Sequence, residues 1–184
     1  MKLLFWVGAG LSQASGVPAP PAYDRGRFLL NQEQCLREFS DWRQQVLACR
    51  PNRGHEVLRE LQLRHPETRI VTTNQDQLLQ RAGCEVIELH GHGMAEGGRP
   101  GVVWVGEDLD AELLEQVFSW VESCDTLVLL GTSSTVQPAC EIPLRARGRA
   151  RLIEINLRET PLSAQCDECL RGPAEELLER FLSP

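Results

Sequence analysis

The sequence lacks any apolar run that approaches the roughly 18 residues required by a membrane-spanning helix. It is also nearly free of lysine, since Lys2 is the only one. Its 19 basic residues are outnumbered by 26 acidic residues, which gives a formal net charge of −7. Binding to nucleic acid phosphates requires clustered positive charge. The composition therefore argues against both a membrane protein and a nucleic-acid-binding protein.

The cysteines lack the even number and regular spacing of a secreted disulfide framework, because there are seven of them at irregular intervals. We therefore expect a cytoplasmic protein whose thiols are kept reduced. Cys166 and Cys169 form the one closely spaced pair. No second such pair is present to complete a tetrahedral zinc site, so the sequence predicts no metal.

Short apolar runs alternate with helical patterns along most of the chain. Near-continuous apolar runs, without polar alternation, are typical of strands in a parallel sheet that is covered on both faces. Strands are predicted at residues 3–7, 69–72, 86–89, 102–105, 126–130 and 152–155. Helices are predicted at residues 41–48, 53–63, 76–82, 112–121 and 173–181. This alternation indicates one α/β domain over residues 1–184, with a doubly wound, parallel, Rossmann-like sheet. Residues 25–64 contain no predicted strand and are expected to form a small helical lobe.

The first predicted strand runs directly into a glycine-rich segment that contains Gly8, Ala9, Gly10 and Ser12. Glycines at this point let the backbone approach a pyrophosphate. The dinucleotide fingerprint of dehydrogenases has a third glycine where this chain has Gln13. The segment is therefore either a phosphate-binding loop of another kind or simply a tight strand-to-helix turn.

Polar residues follow four further strands, and three of these clusters admit two interpretations. Asn74 and Asp76 could bind a ligand or cap the next helix, and the same holds for the small polar residues that follow Gly131. His90 is well placed for general acid–base chemistry, whereas a metal held by His90 and His92 would lack further ligands. The last strand ends in an amide, at Asn156. Ligands bind at the carboxyl ends of strands in α/β sheets, so five polar clusters there favour a nucleotide pocket.

The order of these motifs resembles that of the sirtuins, which are NAD-dependent protein deacylases. The matching segments occur in family order at residues 8–18, 51–55, 73–76, 88–91, 99–107, 131–133 and 155–156. They extend over nearly the whole chain.

The resemblance implies NAD as cofactor and an acyl-lysine protein or peptide as substrate. It further implies that the acyl group is transferred to ADP-ribose, with release of nicotinamide. His90 would be the general base, and Asn74 and Asp76 would hold the nicotinamide end. The other implied cofactor contacts are Gly8, Ala9, Gly10 and Ser12 around the pyrophosphate, and Gly131, Thr132, Ser133 and Asn156 towards the adenosine. The peptide would pair by backbone with the segment that contains Val103, Val105, Gly106 and Glu107.

Three departures from the family pattern bear on this expectation. Only residues 92–98 stand where sirtuins carry a zinc-binding module, so no zinc ribbon is expected. The Phe-Arg pair of the family is replaced by a loop in which Tyr23 and Arg25 could substitute, and Arg25 is therefore a candidate cofactor contact. Thr73 and Val105 also replace family residues near the expected reaction centre. An NAD hydrolase, an ADP-ribosyl transferase and a non-catalytic module that binds NAD or ADP-ribose therefore stand as alternatives.

Overall fold

The computed structural model describes residues 1–21, 25–94, 99–104 and 107–182. Eight strands lie in these ranges: β1 (Leu3–Val7), β2 (Arg69–Thr72), β3 (Ile87–Glu88), β4 (Gly91–Met94), β5 (Pro100–Val102), β6 (Thr126–Leu130), β7 (Arg151–Asn156) and β8 (Glu168–Arg171). The α-helices are α1 (Gly10–Gln13), α2 (Arg25–Leu30), α3 (Gln32–Ala48), α4 (Arg53–Arg64), α5 (Leu78–Arg81), α6 (Ala111–Ser123) and α7 (Ala174–Leu177). Segments of 3-10 helix occupy Ala139–Ala146, Ser163–Gln165 and Leu178–Phe181.

Six strands form one parallel sheet in the order β3-β2-β1-β6-β7-β8. From β1 the chain adds β2 and β3 on one side. It then returns and adds β6, β7 and β8 on the other side. This is the strand order of dinucleotide-binding folds, in which a crevice opens at the carboxyl ends of the two central strands. The predicted doubly wound, parallel class is confirmed.

The central strand β1 is buried on both faces. Leu3, Phe5 and Val7 belong to one apolar cluster, which includes residues of α4 and the C-terminal helices. Leu4 and Trp6 belong to a second cluster, built with α6 and Ala139–Ala146 on the opposite face. Full burial of such side chains contributes about 1.5–3 kcal/mol each. Because β1 lies between two helical layers, both of its faces are buried. Its sequence therefore has no alternating polar residues.

Three features of the strand prediction are corrected by the structure. The run at 102–105 was assigned to the parallel sheet, but β5 pairs with β4 in a separate antiparallel hairpin. β4 itself was not predicted, because its glycine-rich sequence carries no apolar signal. β8 was also missed, since its residues alternate between exposed and half-buried positions at the edge of the sheet.

The five predicted helices agree in position with helices of the structure and differ from them in length, whereas α1 and α2 were not predicted. α3 extends over 17 residues rather than eight, because the first half of its sequence is too exposed and polar to show apolar spacing. α5 begins two residues late, because Gln77 takes a left-handed backbone conformation with φ of 60° just before it. Within the described ranges no helix is both long enough and apolar enough to cross a membrane.

The helices of residues 25–64 belong to two different packing groups. Phe39, Trp42 and Val46 of α3 form a third apolar cluster with Val102 and Trp104. In contrast, the buried residues of α4 belong to the main cluster on the sheet. The assignment of residues 25–64 to a single small lobe stays a prediction.

Candidate active site

The loops that follow β1, β2 and β6 meet at the carboxyl edge of the sheet. The backbone amide of Thr73 donates to the carbonyl of Val7 over 3.1 Å, and the amide of Gly8 donates to that of Leu130 over 2.9 Å. Strand register and these hydrogen bonds therefore bring three of the predicted polar clusters side by side.

Glycine is required where the first loop touches the loop after β6. A Cβ atom on Gly8 would lie 2.6 Å from the Cα of Thr132, and one on Gly10 would lie 2.6 Å from the carbonyl oxygen of Gly131. The amide of Gly10 donates to that same oxygen over 2.7 Å. The glycines thus allow two backbone segments to pack in direct contact and form the floor of the crevice.

Asn74 is buried and ties the second loop to the first. Its Nδ2 donates to the carbonyl of Gly8 over 3.2 Å and lies 3.3 Å from Oγ of Ser12. Because both amide hydrogens are used in this way, the orientation of the side chain is fixed. Asn74 is thus held against the glycine loop, as its proposed role requires.

Asp76 is also buried at this edge, and it forms a local hydrogen bond with the start of the next helix. Its Oδ1 accepts a hydrogen bond of 2.9 Å from the amide of Leu78, at the start of α5. This bond uses one of the two carboxylate oxygens of Asp76, so a role in ligand binding stays a prediction.

His90 follows β3 and lies half-buried beside the second loop. Burial lowers the pKa of its imidazole, and a hydrogen bond with the backbone of Thr73 acts in the opposite direction. The net effect favours the neutral ring, which can accept a proton near neutral pH. The amide of Val103 donates to the carbonyl of His90 over 2.9 Å, so the predicted peptide-binding segment adjoins this histidine.

The neighbouring His92 has a partner of its own. Its Nδ1 is hydrogen-bonded to Oε2 of Glu88, four residues earlier. In the part of the chain that the structure describes, no three His, Cys, Asp or Glu side chains group as metal ligands would.

The fourth and fifth clusters meet through Asn156. Its Nδ2 donates to the carbonyl of Thr132 over 2.6 Å, and Oγ1 of Thr132 accepts from the amide of Ser134 over 3.1 Å. The hydroxyl of Ser133 is exposed and lies 2.9 Å from that of Thr135. The loop after β6 is therefore joined to the end of β7, and it also contacts the glycine loop.

Two candidate site residues, Arg25 and Glu107, lie near α2 and β5 instead of beside the loops described above. Arg25 is exposed at the start of α2, and its positive charge helps to lower the pKa of Glu107. The Glu107 carboxylate accepts bonds of 2.7 and 2.9 Å from Arg99 and one of 3.0 Å from the amide of Trp104. The Arg99 bonds are the main reason that its pKa falls to about 2. The other two candidates of this segment, Val105 and Gly106, lie outside the described residues.

The sequence reasoning gave no role to two residues behind the glycine loop. Asn52 caps α4 by accepting from the amide of Gly54 over 3.0 Å, and its Nδ2 donates to the carbonyl of Leu11 over 2.7 Å. His55 is fully buried, with its Nε2 3.4 Å from Oγ of Ser12. Both residues belong to segment 51–55, which matches the family pattern. That match is the sequence feature that could have identified them.

The strand order and the polar crevice define a nucleotide-binding protein of the doubly wound class. The family model for the Sir2 family matches residues 8–96 and 94–138. Similar proteins include the NAD-dependent protein deacylase of Aquifex aeolicus, 30% identical, and NAD-dependent protein deacylase 1 of Archaeoglobus fulgidus, 32% identical. Each alignment covers 98% of this chain, with 93% and 91% of the respective relative. The chain belongs to the Sir2 family.

Solved structures agree with this assignment. A Sir2 homologue in complex with NAD superposes with a TM-score of 0.90 at 29% identity, over 98% of this chain and 88% of that one. Sir2 bound to acetylated peptide gives a TM-score of 0.89 at 25% identity, over 98% and 92%. The Aquifex alignment spans 223 positions, more than the 184 residues of this chain, so that relative has segments that are missing here. The family match breaks at residues 94–96, within the segment where a zinc module was expected to be missing.

Proposed function

We propose that this protein is an NAD-dependent protein-lysine deacylase that transfers the acyl group to ADP-ribose and releases nicotinamide. The observation that carries the proposal is the grouping of Asn74, Asp76 and His90 beside the glycine loop at the switch point of the sheet. NAD supplies the ribose that receives the acyl oxygen, and nicotinamide as the leaving group. Membership of the Sir2 family and its NAD-dependent relatives support the same conclusion.

The chemistry of the crevice fits NAD. The glycine loop would hold the pyrophosphate through Gly8, Ala9, Gly10 and Ser12, because its backbone can be approached closely. Asn74 and Asp76 would face the nicotinamide end, since their amide and carboxylate complement a carboxamide. Gly131, Thr132, Ser133 and Asn156 would lie towards the adenosine.

His90 is proposed as the general base. Its neutral ring can accept a proton from a ribose hydroxyl, because burial disfavours the imidazolium form. The hydrogen bond with Thr73 orients the ring without making it permanently charged. Asn74 would act with it by holding the reacting end of the cofactor in a fixed position.

The peptide substrate would bind along the segment that contains Val103, Val105, Gly106 and Glu107. Backbone pairing with an extended peptide is consistent with the separate two-stranded hairpin of β4 and β5, which directly precedes this segment. Arg25, at the lobe side of this segment, remains a candidate contact to the cofactor. We also propose a cytoplasmic location, supported by seven cysteines that are all free in the structure.

The proposal is tested by measuring nicotinamide release from NAD with and without an acetyl-lysine peptide, alongside peptide deacetylation. Three proteins are compared: the parent, His90→Ala and His65→Ala. His65 is an exposed histidine at the end of α4 and serves as the matched control. We expect release to require the peptide, to fall at least about 100-fold in His90→Ala and to persist in His65→Ala.

The same assay separates the alternatives. Nicotinamide release without peptide would assign the protein as an NAD hydrolase or transferase, an alternative suggested by the missing zinc module and by the altered loop before Arg25. Ligand-induced thermal stabilisation by NAD without any turnover would indicate a binding module instead.

A further inference from the structure

Cys166 and Cys169 lie where β8 begins, at the opposite end of the parallel sheet from the crevice. Cys169 is exposed, whereas Cys166 is half-buried and packs against the apolar cluster that includes residues of α6. The proposed deacylation uses neither thiol.

The two thiols approach each other over one turn of the chain. Sγ of Cys166 donates to the carbonyl of Leu162 over 3.4 Å, and Sγ of Cys169 donates to that of Ser163 over 3.5 Å. These carbonyls belong to consecutive residues. A hydrogen bond with the Cys169 thiol is also among the causes that raise the pKa of Cys166. The fold therefore holds the two sulfur atoms as neighbours.

Pairing with β7 fixes the segment between the two cysteines. Asp167 lies in a bend, and its amide donates to the carbonyl of Leu152 over 2.8 Å. Its Oδ2 accepts from the amide of Leu152, also over 2.8 Å. Cys169 lies opposite Glu154 in the register of the two strands. The approach of the thiols is thus a property of the sheet edge and not of the short spacing alone.

The surrounding turn can lose both thiol hydrogens without leaving an unpaired polar group. The carbonyl of Leu162 also accepts from the amide of Gln165 over 2.8 Å, and the carbonyl of Ser163 accepts from the amide of Cys166 over 3.2 Å. Both carbonyls would therefore stay paired if the thiols were oxidised.

The two thiols differ in reactivity. Burial and the charge of Glu154 raise the pKa of Cys166 to about 12, so this thiol stays protonated. Arg171 pairs with Glu154 over 2.6 Å and also interacts electrostatically with the exposed Cys169. Reactive cysteines are typically accessible and lie close to a positive charge. Cys169 is therefore the thiol that an oxidant would reach first.

We propose that Cys166 and Cys169 form a site of reversible oxidation, at which a hydroperoxide converts the two thiols to a disulfide. The sulfur of Cys169 attacks the peroxide, so that an S–O bond forms, the O–O bond breaks and water or an alcohol leaves. The sulfur of Cys166 then displaces the hydroxyl group of this sulfenic acid as water, and the S–S bond forms. The two electrons given up by the thiols reduce the peroxide, and the two thiol protons leave with the products. A dithiol reductant reverses the conversion by thiol–disulfide exchange.

The parent protein alone provides the first test. It is reduced, exposed to hydrogen peroxide, labelled with N-ethylmaleimide and digested with trypsin. Both cysteines fall in the tryptic peptide of residues 159–171, which contains no other cysteine. We expect this peptide to lose two hydrogen atoms and to take no label, and dithiothreitol to restore two labelled thiols. Two labelled thiols after peroxide treatment, a sulfinic acid on Cys169 without any disulfide, or a disulfide between two chains would overturn the proposal.

Single substitutions test the order of the two steps. In Cys166→Ser the sulfenic acid of Cys169 has no second thiol to meet and should be trapped by dimedone. In Cys169→Ser trapping at Cys166 should be at least about tenfold slower, because that thiol is half-buried and stays protonated. Cys140→Ser removes a half-buried thiol elsewhere in the fold and should form the disulfide as the parent does. Thermal unfolding without peroxide verifies that each variant is folded. Equal trapping at the two cysteines would overturn the proposed order of steps.

Discussion

The carbonyl oxygen of His90 accepts a hydrogen bond of 2.9 Å from the backbone amide of Val103. This bond joins the candidate base to the segment proposed to bind the peptide. The segment follows β5, whose partner β4 begins at Gly91, one residue after His90. If the peptide binds where we propose, peptide binding and placement of the base are properties of one short hairpin.

The lowered pKa of His90 predicts the pH dependence of deacylation. The base is active in its neutral form, so activity should fall as the pH decreases through the lowered pKa of the buried ring. We expect the acid limb of kcat/KM for the peptide to have its midpoint below 6.5, the ordinary value for histidine. The profile is measured between pH 4.5 and 9, with His65→Ala as the control of unchanged shape. A midpoint at or above 6.5 would show that another group, or an unshifted histidine, controls the rate.

The loop after β1 contacts the loop after β6. We therefore predict that a methyl group added at Gly131 strongly destabilises the protein. This residue has φ of +57°, and an added Cβ would lie 2.6 Å from the backbone nitrogen of Leu11. Gly131→Ala should lower the free energy of unfolding by at least about 3 kcal/mol through backbone strain and overlap. Gly148 is the matched control, because its φ is +74° but a Cβ there would meet nothing within 4 Å.

Urea unfolding of the two alanine variants measures the difference directly. Gly148→Ala should cost only about 1 kcal/mol, the price of the left-handed conformation alone. Equal losses in the two variants would mean that the loops can separate without cost, and that direct backbone contact does not organise the crevice.

Much of the fold could be predicted because its strands are buried on both faces. The uninterrupted apolar run of β1 and the glycine at residue 8 were sufficient to place the first strand, the first loop and the crevice. In contrast, β8 pairs only at one edge, and its alternating exposure hides it among polar residues. The run at 102–105 was assigned to the wrong sheet because apolar character reports burial and does not identify the partner strand.

The candidate site was predictable where polar residues follow strands directly. Asn74 and Asp76 could be placed because the carboxyl ends of parallel strands share an edge. His55 was not recognised as a site residue, because its link to Ser12 crosses 43 positions and depends on how α4 packs. The ion pair of Arg99 and Glu107 was likewise not predicted, because spacing along the sequence does not show whether the fold brings the two side chains together.

The short connection between β4 and β5 predicts that metal removal leaves the protein unaffected. Only residues 95–99 separate these strands, and the segment contains no cysteine. We expect purified protein to contain less than about 0.1 zinc per chain by elemental analysis, and incubation with a chelator to leave Tm unchanged, because a structural zinc would contribute to folding directly. A stoichiometric metal, or a Tm lowered by the chelator, would contradict this expectation.

The ion pair of Arg99 and Glu107 predicts a pH-dependent contribution to stability. The pKa of Glu107 is about 2 in the folded protein against an ordinary value of 4.5. A depressed carboxyl pKa stabilises the fold above pH 4.5, and the contribution is lost as the pH falls from 4.5 towards 2. Glu107→Gln should therefore lower the free energy of unfolding by about 1–2 kcal/mol at pH 7, as expected for a bidentate, partly shielded pair. The difference from the parent should shrink at pH 3.

The same substitution at Glu33 provides the control. Glu33 pairs with Arg37 on the exposed surface of α3, so Glu33→Gln should have no measurable effect at either pH. Because Glu107 also accepts from the amide of Trp104, Glu107→Gln should in addition raise the KM for the acetyl peptide more than the KM for NAD. A stability loss that is equal at pH 7 and pH 3 would show that Glu107 acts through packing and not through its charge. An unchanged KM for the peptide would show that the contact of Glu107 with Trp104 has no part in peptide binding.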